Sequence, residues 1–219
     1  MDNRKTLVDD DFVVPFELVT DQFRLRMLSI NDLIKDYDAV MSSVDHLRNT
    51  YSLISGSSWP VGLTLEEDLI DLGWHQREFT LRYSFAYTVM TLDETQCLGC
   101  VYLEPSRKSS FDVVVSMWVR VSELGNGLDS DLYGTVKKWI SELWPFSRPA
   151  YPGREITAEQ WKKFQMTFSK STAIAEYRKP RYCGAFLISC LNRYIVQIAF
   201  PSLTSGGLVI NSAISPKIA

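Results

Sequence analysis

An α/β (α+β) domain, a mixed and mostly antiparallel sheet flanked by helices, is predicted by three observations. Apolar residues recur with period 2 in some stretches and with helical period in others. Three strand-like runs follow one another between residues 83 and 121 with only short turns between them, which is the pattern of an antiparallel meander. A turn containing Gly125 and Gly127 then joins the last run to an amphipathic helix.

The elements come in order. Phe23, Leu25 and Met27 alternate with Arg24 and Arg26, so residues 22–28 read as a half-buried strand. Ser29 or Asn31 can cap the following helix, whose face is Leu33, Ile34, Tyr37, Val40, Met41, Val44 and Leu47, running through Arg48. Residues 51–62, with Gly56, Ser57, Ser58 and Pro60, read as a loop. Thr64 with Glu67 is a capping box for a second helix carrying Leu65, Leu69 and Leu72, and Glu66, Glu67 and Asp68 suit its positive end. Strands are expected over 83–92, 97–104 and 111–121, with turns at Asp93–Glu94 and over 105–110. A third helix runs from about Asp129 to Leu143, where Pro145 ends it.

Composition narrows the function classes. The 219 residues, 46% hydrophobic and 12% aromatic, suffice for one sizeable core. A net charge of -3 gives no case for nucleic acid. The charge is uneven: residues 1–160 hold 15 Lys+Arg against 25 Asp+Glu, whereas residues 161–219 hold 8 against Glu176 alone. The acidic start shows no secretory run, and four cysteines do not make a disulfide scaffold, so a cytoplasmic protein is expected. Cys97 and Cys100 form a CxxC, but no second CxxC follows and the histidines are His46 and His75 alone. A structural role and no metal are therefore expected.

The order of strand, two helices, three strands, glycine turn and helix resembles that of the GNAT superfamily of N-acetyltransferases. The residues that carry the likeness are Phe23-Arg24-Leu25-Arg26, Cys97-Leu98-Gly99-Cys100-Val101-Tyr102-Leu103, Met117-Trp118-Val119-Arg120 and Gly125-Asn126-Gly127-Leu128. The superfamily's cofactor signature, Arg/Gln-x-x-Gly-x-Gly/Ala, maps onto Leu124-Gly125-Asn126-Gly127-Leu128-Asp129, with departures at Leu124 and Asp129. The resemblance implies a GNAT-like domain over 20–160, an N-terminal segment over 1–19 and a basic, apolar C-terminal extension over 161–219.

It further implies acetyl-CoA as co-substrate and acetyl transfer to a primary amine of a small molecule or protein. Pantetheine would pair with backbone at Val119 and Val121, and the amides around Leu124, Gly125, Asn126, Gly127 and Leu128 would cradle the pyrophosphate. Asp129 could cap the helix behind that turn. Asp112 is the candidate base, with Glu104 as the other carboxylate nearby; the competing reading makes both solvated hairpin residues. In the extension, Ala173-Ile174-Ala175-Glu176-Tyr177 resembles the late helix whose Tyr protonates the departing thiolate, which makes Tyr177 the candidate acid. Residues 183–200 read better as two strands meeting at Asn192-Arg193 than as a membrane span. No nucleic-acid or membrane partner is expected, and a homodimer is compatible. Leu124 and Asp129 also keep open a different class, a catalytically silent GNAT-fold binding module.

Overall fold

Six strands form one sheet in chain order, β1(Glu17–Val19), β2(Arg24–Met27), β3(Phe85–Met90), β4(Cys97–Pro105), β5(Val113–Val119) and β6(Pro149–Ala150). The computed structural model describes residues 4–164, apart from the side chains of residues 52–55. Every neighbouring pair is antiparallel except β5 and β6, which are parallel. The helices are α1(Leu33–Met41), α2(Val44–Ser55), α3(Leu65–Thr80), α4(Leu128–Leu143) and α5(Ala158–Lys163).

The sheet is apolar on both faces because each face is covered. Leu25, Tyr87, Val89, Val101, Leu103, Val115, Met117 and Val119 meet Leu132, Val136, Trp139 and Ile140 of α4 on one side. On the other, Ala86, Met90, Cys97, Cys100 and Trp118 meet Ala39, Val40, Leu47, Tyr51 and Leu72 from α1, α2 and α3. Two covered faces explain why β3 and β5 are buried at every position and show little alternation in polarity. The segment before residue 20 belongs to the core, since Val8 and Val14 are buried in it and Arg82 donates to the carbonyls of Asp9 and Phe12.

The Thr64–Glu67 capping box forms as read, with both reciprocal bonds present. The first helix differs. It is two helices that break at Ser42–Ser43, and the second continues through Tyr51 to Ser55, where a loop had been expected. The break is tertiary in origin: Ser43 Oγ donates to the Ala39 carbonyl and accepts from the Val121 N–H, tying the α1–α2 corner to the end of β5. Arg120 reinforces that tie, donating to Asp38 Oδ2 at 2.9 Å, Ser42 Oγ at 3.1 Å and the Cys97 carbonyl at 3.3 Å. The last strand of the meander stops at Val119, because Val121–Asn126 winds into a 3-10 turn. Gly127 holds the N-cap of α4 at φ +81°, which favours glycine, so Asp129 is the second residue of the helix and not its cap.

Candidate functional site

The site is an opening in the sheet. β6 pairs with β5 only at Val113↔Pro149 and Val114↔Ala150, so beyond those residues the two parallel strands part. The closed end is clamped by Asp112, whose carboxylate accepts the Ser147 and Arg148 N–H groups at 3.0 and 2.8 Å and the Arg148 guanidinium at 2.8 Å. Burial pushes the Asp112 carboxyl up, but the Arg148 bonds outweigh it and hold the group below the usual carboxylate range.

Hydrogen-bond parity fixes which backbone groups face the opening. The Arg120 N–H donates to the Leu98 carbonyl, so in the register of the β4–β5 ladder the even-numbered β5 residues bond toward β4. Val115, Met117 and Val119 therefore direct their N–H and C=O groups to the other edge, where β6 has departed. Val119 is one of the two residues expected to meet pantetheine. The other, Val121, lies past the strand and gives its N–H to Ser43 Oγ at 2.9 Å. Val115 and Met117 join the set through the parity of the ladder.

A cavity of about 160 Å³ occupies the opening, lined by Val115–Trp118 of β5, His46, Thr50 and Tyr51 of α2, Asp129 of α4 and Pro152–Arg154 after β6. Asp129 belongs to the first turn of α4, which the exposed turn Gly125–Gly127 precedes and whose first residue, Leu128, is buried as an anchor. Sixteen residues of helix point their positive end here. Asp129 is not left bare: Arg154 makes two bonds to its carboxylate, one of 2.6 Å. The guanidinium is set in place by the Tyr133 ring, 5.5 Å away, and by the 152–156 turn, which Glu155 pins to Tyr133 and Lys137.

His46 is a base that residue-by-residue reading passed over. It stands on the α2 face that lines the cavity, and burial lowers its imidazole below the ordinary histidine value, with Asp129 raising it and Arg154 lowering it further. It is therefore neutral at pH 7 and able to accept a proton. Tyr51 is buried beside it, and desolvation raises its phenol so that the hydroxyl keeps its proton. Glu104 lies toward the far end of β4, paired with Val114. Tyr177 and the expected strands over 183–200 lie outside the described residues.

The likeness to known structures agrees with this geometry. No family model and no curated protein sequence matches the chain. A Vibrio cholerae structure assigned as a ribosomal-protein-serine acetyltransferase superposes with a TM-score of 0.51 at 12% identity, over 62% of this chain and 72% of that one. The fold is GNAT-like, a mixed and mostly antiparallel sheet flanked by helices. Two further structures superpose more weakly: an acetyltransferase from Salmonella typhimurium that modifies the N-terminal serine of ribosomal protein L7/L12, with TM-score 0.44, 14% identity and 57% and 66% of the two chains, and the microcin C7 self-immunity acetyltransferase MccE in complex with acetyl-CoA and AMP, with TM-score 0.46, 12% identity and 61% and 72%. Among the described residues no helix is long and apolar enough to cross a membrane.

Proposed function

We propose that the protein transfers an acetyl group from acetyl-CoA to a primary amine. The observation that carries this reading is the unpaired β5 edge: Val115, Met117 and Val119 present peptide groups to an opening that ends at the glycine turn and N-terminus of α4. Pantetheine is a chain of amides, so it can add to that edge as a short strand would. The pyrophosphate then meets the amides of Gly125–Leu128, where the helix dipole favours negative charge. The cavity's volume of about 160 Å³ suits the acetyl-thioester end, with the nucleotide lying outside along the surface.

The chemistry needs a base for the substrate ammonium and donors for the developing oxyanion. His46 is the group placed to take the proton, since it lines the cavity, whereas Asp112 is spent on Arg148 at the closed end. Once deprotonated, the amine attacks the thioester carbonyl, a β5 N–H steadies the oxyanion, and the tetrahedral intermediate collapses with CoA thiolate leaving. Protonation of that thiolate falls to Tyr177, the acid that the resemblance implies.

Arg154 bears on the second reading, a silent binding module. A lone carboxylate at Asp129 would repel a pyrophosphate, but its guanidinium partner cancels that charge. Thiol release measured with acetyl-CoA and a panel of small amines and N-terminal peptides separates the two. Release above background with one acceptor class is expected. Background release throughout, from protein that binds acetyl-CoA, would establish the binding module instead.

A further inference from the structure

A second polar cluster lies away from the cleft, under α1 and α3, and its origin is a bulge in β4. Two residues three apart on a regular strand face opposite sides of the sheet. Cys97 and Cys100 nevertheless both face the α1–α3 side, because the register with β3 shifts so that Val89 pairs with Gly99 and Met90 with Cys97, leaving Leu98 as the extra residue. Gly99 makes the bulge feasible: a Cβ there would sit 2.0 Å from the Trp118 carbonyl oxygen. Asp36 of α1 meets the two thiols. Its Oδ1 lies 3.4 Å from Cys100 Sγ and 3.9 Å from Cys97 Sγ, and one ligand atom from each of the three residues falls within 4.8 Å of the others.

We propose that Asp36, Cys97 and Cys100 are three ligands of a buried transition-metal site whose ligand chemistry selects zinc. Zinc takes thiolate at about 2.3 Å and carboxylate at about 2.0 to 2.2 Å in tetrahedral geometry, which sets the S···O edge at about 3.6 Å; the two observed contacts bracket that edge. The fourth corner is left to a water.

The surroundings are short of positive charge. Asp68 and Asp71 are 3% and 8% exposed, and Asp68 Oδ2 and Asp71 Oδ1 have no hydrogen-bond partner among the described residues. A divalent cation bound by Asp36 places positive charge near these buried carboxylates. A Cys97–Cys100 disulfide is the competing use of the same thiols, but it would leave the Asp36 carboxylate facing two sulfurs with no cation. Metal binding releases the two thiol protons and so tightens as pH rises. The inference is independent of acetyl transfer.

The test uses the full chain, reduced, stripped with chelator and titrated with zinc alone and cobalt(II) alone. One equivalent of zinc, protection of two thiols from a thiol reagent, and a thiolate-to-cobalt charge-transfer band are expected. Cys97→Ser and Cys100→Ser should each weaken zinc binding at least 100-fold and Asp36→Asn at least 10-fold, while the Cys183→Ser/Cys190→Ser double variant keeps the site. The cobalt spectrum is read on the unmodified protein, so it stands even if a variant fails to fold. Absence of a charge-transfer band from the reduced protein, or zinc binding that survives both serine variants, would overturn the proposal.

Discussion

Arg154 grips Asp129 across the mouth of the β5/β6 opening, Nη2 to Oδ1 at 2.6 Å with a second bond from Nη1 to Oδ2. The pair stands at the first turn of α4, where the proposed pyrophosphate meets the chain, and so neutralises a carboxylate that would repel it. Arg154→Ala should raise the Kd for acetyl-CoA about 10-fold, equivalent to about 1.4 kcal/mol. Asp129→Ala should lower it, because Arg154 is then free for phosphate. Neither change should cost more than about 1 kcal/mol of stability, since both side chains are roughly a quarter to a third exposed and water screens the pair. Calorimetric titrations of the two variants, with thermal melts alongside, check both statements.

His46 should set the acid limb of the kcat profile. Its imidazole titrates below the ordinary histidine value, so activity should rise with pH through a midpoint under about 6.5 and then level off, because the neutral form is the base. His46→Gln should lower kcat by about 10² to 10⁴-fold and remove that limb, with the KM for acetyl-CoA little changed. An unaltered limb in the variant would assign the base elsewhere.

Gly99→Ala should destabilise the fold by at least about 2 kcal/mol, because the added methyl meets the Trp118 backbone, which cannot swing aside as a side chain would. A chemical denaturation midpoint equal to that of the parent would contradict the close approach of β4 and β5 at this point.

Asp32 should make stability depend on acid. It is 2% exposed and accepts two bonds from Arg26, of 2.7 and 3.0 Å, and one from the Ser29 N–H. Burial raises its carboxyl, but the Arg26 and Ser29 bonds together outweigh that and leave it below its unfolded value. A group lowered on folding contributes stability that is present above the unfolded pKa, near 3.9, and is lost as pH falls through the folded value. Asp32→Asn should cost about 2 kcal/mol at pH 7, less than a fully buried pair because Arg26 is a quarter exposed, and the difference from the parent should shrink below pH 4. Melts between pH 2.5 and 7 show this directly.

What was legible in the sequence was what local chemistry writes. Thr64 and Glu67 announce α3 because a capping box is complete within four residues, and the meander shows because Asp93–Glu94 and 105–110 turn the chain at short range. The break between α1 and α2 was hidden because Leu33 to Leu47 keep helical spacing straight through it; only the bond from Val121 to Ser43 reveals why the chain turns there. The Gly56–Pro60 cluster drew the end of α2 back from Ser55 in the same way. In the site, Gly125–Gly127 could be read from the turn, and Val119 from its place on the last long strand. Arg154 could not, since nothing near it in sequence points to a carboxylate 25 residues earlier. His46 looks like any polar residue of an amphipathic helix until α2 is laid over β5. The pairing of Cys97 with Cys100 required a bulge that a period-2 reading excludes.

Calorimetric titration of the full chain with acetyl-CoA tests the central claim most directly, because it asks whether the β5 edge, the glycine turn and the α4 N-terminus together hold the cofactor. One saturable site is predicted, with CoA binding at the same site and Arg154→Ala weakening both. An absence of saturable heat up to millimolar acetyl-CoA, from protein that melts cooperatively, would contradict the account.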